Sequence, residues 1–344
     1  MEPSATQPPL RIGALGCGEV ARRHMLPAVG RVADARLVAV ASRDRAKAER
    51  FAQDFGGEPV EGYAPLLERP DVDAVYIALP TGLHHEWALR ALDAGKHVLV
   101  EKPLAATLAE AEDLVSAAAM RDRWLMDGFM FLHHSQHRIV RRLIDEGAIG
   151  EPRQFSSEFG IPPRDPHDVR YRADLGGGAL LDVGVYTVRA AMLFLGPELS
   201  VAGATLGRDP ALGVDLGGTA LLCSADGIPA QLSFSFRSSY RSMYAVWGSE
   251  GRIVLQRAFT PPPTFTPTVR VERPGGVEDI ALPADDQFAN LVRAFARLAL
   301  RRADFAPHGE TLLRHMALVE EIRNRARRAE TSRRPPLSEH LRSA

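Results

Sequence analysis

The sequence predicts a doubly wound α/β domain with a parallel sheet, followed by an α+β domain with an open, mostly antiparallel sheet. From residue 10 to about 130, apolar strand-like runs alternate with helical patterns, which is typical of right-handed βαβ units. Over residues 199–273, short alternating runs are separated by Gly, Pro and Asp, which is typical of an antiparallel sheet. The 344 residues also exceed the roughly 250 to 300 at which one hydrophobic core stops growing. We therefore predict two domains, over residues 10–130 and 131–330, with flexible termini at 1–9 and 331–344.

The first domain begins with an apolar strand at residues 10–15, a glycine turn and a helix from about Val20. Further strands are predicted at 36–41, 74–79 and 97–100. The strand at 74–79 lacks polar alternation, as expected of a strand covered on both faces. A helix is predicted at 83–94, and Thr107 with Glu110 forms a capping box that begins another.

The second domain begins with a predicted helix at 135–146 and a strand at 153–159. After the antiparallel strands, two closing helices at about 285–302 and 310–328 are expected to end the fold. We expect the open face of this sheet to be apolar and covered by another copy of the chain, in a homodimer or homotetramer packed sheet to sheet.

Composition limits the function classes. The formal net charge is −1, so no overall basic footprint favours nucleic acid or anionic lipid, and a small-molecule partner is expected. Cys17 and Cys223 are the only cysteines, which fits a reducing compartment. No leader pattern and no run of about 18 to 20 apolar residues is found, so we expect a cytoplasmic protein.

The turn after the first strand carries a dinucleotide-binding fingerprint, Gly16-x-Gly18-x-x-Ala21. Gly16 would make the tight turn, Gly18 would let the backbone approach a pyrophosphate, and Ala21 would allow close helix packing. A purely structural glycine turn is disfavoured because the motif lies between a strand and a helix. The context predicts a Rossmann domain in which the residues of this turn contact the cofactor: Gly16, Cys17, Gly18, Glu19, Val20 and Ala21.

The end of the second strand predicts which dinucleotide binds. An NAD enzyme usually has Asp or Glu there for the ribose hydroxyls, whereas this chain has Ser42-Arg43. A hydroxyl and a guanidinium suit a 2′-phosphate, so we predict NADP(H). Asp44 argues in the opposite direction, and Arg43 as a solvated surface charge is the alternative.

Two further segments carry reactive side chains. Glu101-Lys102-Pro103 follows the strand at 97–100, at the edge where doubly wound sheets bind ligands, and Pro103 can be cis. In the glycine-rich segment 176–186, helical spacing puts Asp182 and Tyr186 on one face. His133 and His137 are one helical turn apart, but no third metal ligand accompanies them, so we predict no metal site.

These motifs resemble the glucose-fructose oxidoreductase, inositol dehydrogenase and MocA family over nearly the whole chain. The resemblance implies a catalytic Lys102 and a segment with Asp182 and Tyr186 that faces the nicotinamide. Tyr186 stands where inositol dehydrogenases have His, which favours the branch of dihydrodiol and xylose dehydrogenases, glucose-fructose oxidoreductase and the sugar 3-ketoreductases.

Within that branch the chain is similar to the 3-ketoreductases of deoxysugar biosynthesis, which act on dTDP-3,4-diketo-2,6-dideoxyglucose. The matching segments are 129–134, 169–171, 176–186 and 257–262. By this resemblance Lys102, Tyr186, Tyr240 and Thr260 contact the sugar nucleotide. The remaining residues expected at the cofactor are Tyr63, Leu79, His84, Glu101, Arg170 and Asp182.

The implied reaction is reduction of the C-3 ketone with NADPH. Lys102 would stabilise the charge that grows on the ketone oxygen, and Lys102 or Tyr186 would donate the proton. We expect the neighbouring ammonium to lower the pKa of Tyr186 towards the working pH. The alternatives are an NADP-dependent aldose or trans-dihydrodiol dehydrogenase and a non-catalytic NADP-binding regulator.

Overall fold

The structure is a computed structural model that describes residues 8–301 and 303–330, with side chains given as far as residue 327. The termini predicted to be flexible, 1–9 and 331–344, lie outside the described residues except for Pro8 and Pro9.

Six parallel strands form the first sheet, in the order β3-β2-β1-β4-β5-β6. This is the doubly wound order, with a switch point between β1 and β4 where the connections go to opposite sides. The predicted Rossmann domain is therefore confirmed. Its strands are β1 (Leu10–Leu15), β2 (Ala35–Ser42), β3 (Glu58–Glu61), β4 (Ala74–Ile77), β5 (His97–Val100) and β6 (Leu125–Asp127).

Helices cover both faces of this sheet, and their starts follow from the sequence. Asp44 caps one helix by accepting a hydrogen bond from Lys47 N, and the predicted capping box of Thr107 and Glu110 is present. The first helix contains a π-helical turn, Ala21–Met25, close to its start. The α-helices are α1 (Leu26–Arg31), α2 (Arg45–Phe55), α3 (Ala64–Leu67), α4 (His84–Asp93) and α5 (Leu108–Met120).

The second sheet has nine strands in the order β14-β13-β12-β11-β7-β10-β9-β8-β15. Only β7–β10 and β8–β15 pair in parallel, so the predicted open, mostly antiparallel sheet is confirmed. Its strands are β7 (Pro152–Gly160), β8 (Leu199–Asp209), β9 (Val214–Ser224), β10 (Pro229–Ser235), β11 (Arg241–Gly248), β12 (Arg252–Gln256), β13 (Thr268–Arg273), β14 (Gly276–Ala281) and β15 (Ala326–Glu330).

One face of this sheet packs on helices. A helical stretch over Ala173–Leu195 is long and apolar enough to cross a bilayer, but 78% of its most apolar segment is buried inside the protein, as in a core helix. Its part with α-helical geometry is α7, and a π-helical turn, Leu180–Gly184, precedes it. The helices are α6 (Ser135–Asp145), α7 (Val185–Leu195), α8 (Gln287–Arg301) and α9 (Ala306–Arg325).

The prediction that two helices end the fold is wrong. The closing helix α9 ends at Arg325, and the next five residues form β15 beside β8. The sequence Ala-Arg-Arg-Ala-Glu has helical composition, and only the free edge of β8 makes it a strand.

The opposite face of the second sheet is more polar than expected. Outward positions on the central strands β7 and β10 carry Gln154, Ser156, Glu158, Gln231 and Ser233. Two large apolar side chains are exposed on the neighbouring strands, Leu221 at 43% and Trp247 at 58%. This face therefore does not need a cover in order to hide a continuous apolar surface.

Candidate functional site

A cleft of about 660 Å³ lies between the two sheets. One wall comes from the turns after β1, β4 and β5, at the carboxyl edge of the first sheet. The other comes from the segment after β7, the π-helical turn with the start of α7, and residues 260–263. The cleft thus joins the ligand-binding edge of a doubly wound sheet to the second domain.

The second half of the predicted glycine fingerprint lines this cleft, and Gly16 and Cys17 lie behind it. Gly16 has φ +94°, and a Cβ there would come within 2.6 Å of the carbonyl oxygen of Ala78, so glycine is required. Gly18, Glu19, Val20 and Ala21 line the cleft directly. Burial raises the pKa of the Cys17 thiol to about 11, so Cys17 is a neutral, buried member of the turn.

The predicted 2′-phosphate site lies at the carboxyl end of β2, outside the residues that line the cleft. Ser42 is buried and its hydroxyl accepts from Asp44 N, while Arg43 is exposed. Burial raises the pKa of Tyr63, and the nearby charge of Arg43 opposes that rise. The Asp44 carboxylate caps α2 through its Oδ1 atom, which gives it a structural role besides any contact with a ribose. The sequence analysis did not predict a role for Lys47, which lies in the first turn of α2. Its positive charge is close enough to the glycine turn to lower the pKa of Cys17, against the larger effect of burial.

The centre of the cleft holds a triad of charged side chains, those of Lys102, Asp182 and Arg170. The Lys102 ammonium donates to Asp182 Oδ1 at 2.6 Å and to the backbone oxygen of Asp182 at 2.9 Å. Arg170 Nε donates to Asp182 Oδ2 at 2.7 Å, and Arg170 Nη1 donates to Asp168 Oδ1 at 3.1 Å. Burial would raise the pKa of Asp182, but Lys102 and Arg170 outweigh it and lower that pKa to about 2. The peptide bond between Lys102 and Pro103 is cis.

Tyr186 lies beside this triad, as the predicted shared face with Asp182 requires. Its ring centroid is 5.2 Å from the Lys102 ammonium, and its hydroxyl lies 3.6 Å from Met130 Sδ. Four aromatic rings pack around it, those of Phe129, Phe131, Phe159 and Phe259, with centroids at 5.1–5.7 Å.

The expectation of a lowered Tyr186 pKa is wrong. Burial raises the pKa of Tyr186 well above its usual value, and the negative charges of Glu101 and Asp182 raise it further. The ammonium of Lys102 lies over the ring and is paired with Asp182, so it does not compensate. Tyr186 is therefore a neutral phenol throughout the physiological pH range.

Three further residues predicted at the cofactor, Glu101, Leu79 and His84, differ in whether they line the cleft. Glu101 and Leu79 line the cleft, and Glu101 accepts a hydrogen bond of 2.7 Å from the buried Tyr76 hydroxyl. His84 does not line the cleft: it is 1% exposed, and its two ring nitrogens lie 2.8 Å from the carbonyl oxygens of Leu79 and Pro103. It ties the turn after β4 to the turn after β5, so its direct contact with a cofactor is not supported.

The two predicted substrate residues meet at the outer rim of the cleft. Tyr240 OH and Thr260 Oγ1 are 2.7 Å apart, and both residues line the cleft. Tyr240 is 41% exposed, and the Arg257 guanidinium lies 5.3 Å from its ring centroid.

The histidine run of residues 133–137 lies away from these walls. His137 Nδ1 is 3.0 Å from the Tyr244 hydroxyl, and burial lowers the pKa of His137 to about 3. Within residues 8–301 and 303–330, no group of three or more His, Cys, Asp or Glu residues could hold a metal ion.

A cleft that can hold a dinucleotide on one wall and has proton donors beside it, Lys102 on that wall and Tyr186 on the other, defines an NAD(P)-dependent oxidoreductase. The chain belongs to the GFO/IDH/MocA oxidoreductase family, as its sequence resemblance implied. The family model with an NAD-binding Rossmann fold matches residues 10–129, and the model of the family's C-terminal domain matches residues 137–254.

Several individual proteins are similar to the chain over nearly its full length. The chain is 49% identical over 327 residues to a dTDP-3,4-didehydro-2,6-dideoxy-alpha-D-glucose 3-reductase of Actinomadura kijaniata, covering 95% of this chain and 98% of that one. It is 50% identical to the enzyme of the same name from Saccharopolyspora spinosa, covering 91% and 96%. The crystal structure of a 3-ketoreductase from Actinomadura kijaniata with NADP and TDP-benzene superposes with a TM-score of 0.92 at 49% identity, covering 94% and 100%.

Proposed function

We propose that this chain is an NADPH-dependent ketoreductase that reduces the C-3 ketone of a dTDP-activated 3,4-diketo-2,6-dideoxy sugar. The observation that carries the proposal is Lys102, which is held by Asp182 in the cleft beside Tyr186. The two 3-reductases, each about half identical to this chain over nearly its full length, supply the substrate class.

Lys102 is proposed to stabilise the developing alkoxide and to supply its proton. An ammonium has three N–H donors, and Asp182 takes two of them, through its carboxylate and its backbone oxygen. The third remains for the ketone oxygen of a bound substrate. Because the donor is fixed before the reaction, it need not reorganise as charge grows on that oxygen.

Asp182 and Tyr186 support Lys102 in different ways. Asp182 is ionised at every physiological pH and fixes both Lys102 and Arg170. Tyr186, as a neutral phenol, can donate a hydrogen bond to the substrate but is a weaker acid than expected from the sequence. We therefore assign the main acid role to Lys102 and an orienting role to Tyr186.

The chain's own residues fit an NADP cofactor. The turn from Gly16 to Ala21 begins the first helix at the switch point, and its backbone amides suit a pyrophosphate. Exposed Arg43 and Lys47 beside Ser42 suit a 2′-phosphate. NADPH supplies the hydride when it is bound.

Steady-state kinetics test the proposal directly. Freshly prepared dTDP-3,4-diketo-2,6-dideoxyglucose should be consumed with oxidation of NADPH, and NADH should give a lower kcat/KM. A panel of aldoses and dihydrodiols with NADP tests the dehydrogenase alternative. Turnover of that panel without turnover of the diketosugar would contradict the substrate assignment, and no turnover of either class would favour the non-catalytic regulator.

We also propose that the enzyme is cytoplasmic and forms a homodimer or homotetramer through the open face of the second sheet. Exposed Trp247 and Leu221 on that face support the proposal. Light scattering of the wild type and of Trp247→Glu should show a larger species for the former; equal masses would contradict this interface. We propose the same two-domain division as the sequence, with the boundary after residue 130.

A further inference from the structure

We propose that Arg164 binds the diphosphate of the substrate and makes the enzyme selective for nucleotide-activated sugars. This inference rests on the proposed function. The reasoning starts from the charges that line the cleft. Its lining includes three cationic side chains, those of Lys102, Arg164 and Arg170.

Two of these three cations are already neutralised. Lys102 is paired with Asp182, and Arg170 is paired with both Asp182 and Asp168. Among the described residues, Arg164 has no carboxylate within ion-pair distance, and it is exposed. Its charge is therefore free for an anion that enters the cleft.

The lining carboxylates do not compete for Arg164. Glu19 is paired with Arg23, and Asp286 is paired with Arg31 at 2.7 Å. A diphosphate that enters this cleft would thus meet an uncompensated guanidinium, which can bind two phosphate oxygens at once.

The backbone around Arg164 is held in place. Its N–H donates to the Tyr171 hydroxyl at 3.0 Å, and the Tyr171 ring packs edge-on against Phe236 at 6.0 Å. Two prolines, Pro162 and Pro163, precede it and restrict the backbone. Arg164 is therefore presented from an anchored segment.

The position of Arg164 favours the substrate's phosphates over those of the cofactor. Its segment leaves β7 after Gly160, which pairs with Arg241 at the start of β11, directly after Tyr240. The segment of Arg164 thus leaves the second sheet at the same end of the strands as Tyr240, which contacts Thr260. The glycine turn and Arg43 lie on the first sheet, on the other wall.

The test measures binding by calorimetry with the NADPH-loaded enzyme and three probes: thymidine diphosphate, thymidine monophosphate and thymidine. Arg164→Gln should weaken thymidine diphosphate binding about 10- to 100-fold, as expected for loss of a charged hydrogen bond. Thymidine binding should be unchanged, and Arg164→Lys should retain part of the affinity. In turnover the KM for the dTDP-sugar should rise while kcat changes less than threefold.

Arg141→Gln is the matched control, because Arg141 is an exposed arginine of α6 outside the cleft lining. Its affinities should equal those of the wild type. A direct titration of NADPH separates the two phosphate sources: loss of NADPH affinity in Arg164→Gln with unchanged thymidine diphosphate binding would assign Arg164 to the cofactor and overturn the inference.

Two other outcomes have distinct meanings. If the wild type binds thymidine diphosphate and Arg164→Gln binds it equally well, the inference fails while the proposed function stands. If the wild type binds no thymidine diphosphate and turns over no dTDP-sugar, the proposed function fails and the inference fails with it.

Discussion

The carboxyl ends of β2 and β5 carry cations with opposite properties. At β5, Lys102 is 14% exposed and is bound to the carboxylate and backbone oxygen of Asp182. At β2, Arg43 and Lys47 are exposed and have no carboxylate partner among the described residues. A catalytic cation must be held in one orientation, whereas a cation that recognises phosphate keeps its charge available for the ligand. Arg164, in the segment after β7, has the properties of the second kind.

Removing the held cation should have the largest effect. Lys102→Ala removes the donor to the ketone oxygen, so kcat should fall about 10²- to 10³-fold with little change in KM. Stopped-flow measurement of NADPH oxidation in a single turnover checks this. Lys47→Ala is the control and should leave kcat unchanged; equal loss of kcat in both variants would contradict the distinction between the two ends.

Removing an available cation should change binding instead. Arg43→Ala and Lys47→Ala should each raise the KM for NADPH about 10- to 100-fold, the usual value of a charged hydrogen bond. The KM for NADH should stay constant because it has no 2′-phosphate. Arg45→Ala, which removes an exposed i,i+4 ion pair with Glu49, is the control and should not alter cofactor preference. An equal rise in the KM for NADH would contradict the assignment of Arg43 and Lys47 to the 2′-phosphate.

Tyr186→Phe should have a smaller effect than Lys102→Ala. Proton transfer from an essential acid is typically worth about 10²- to 10⁴-fold, but the third N–H of Lys102 remains, so we expect a loss of about tenfold in kcat. Because the Tyr186 pKa is raised, Tyr186 should not titrate below pH 9. The dependence of kcat on pH should therefore have the same shape in the wild type and in Tyr186→Phe up to that pH. Tyr244→Phe, another buried tyrosine, controls for packing. A 10³-fold loss would make Tyr186 the main acid.

The charge triad should also contribute to acid stability, as the smallest of these effects. The pKa of Asp182 is lowered from 3.8 to about 2, so its contribution is present above pH 3.8 and is lost as the pH falls towards 2. Between pH 6 and pH 3 the loss is about 1 kcal/mol from this group, by the linkage relation. Urea unfolding at both pH values measures it. Asp182→Asn should lack this component, whereas Asp279→Asn on the exposed strand β14 should retain it; an unchanged pH dependence in Asp182→Asn would contradict the assignment.

Local sequence patterns were sufficient for most of the first sheet. The strand at β4 has only buried apolar residues, and the capping box of α5 involves neighbours three residues apart, so both are visible without tertiary information. Strands β3 and β6 were not predicted. The first, Glu58–Glu61, lacks apolar alternation, and the second, Leu125–Asp127, has only three residues. Both form because a neighbouring strand offers its edge.

By itself, the sequence determined the order of a doubly wound α/β domain and a mostly antiparallel sheet, the glycine turn at residues 16–21 and the presence of Lys102, Asp182 and Tyr186 on spaced motifs. These features depend on residues within one turn of helix or one strand. Only the tertiary structure decided which carboxylate holds which cation, that Asp44 caps a helix and that His84 lies behind the cleft wall. It also decided that Tyr186 keeps its proton, because burial and charge at one point depend on segments as far apart as residues 101, 130, 159 and 259.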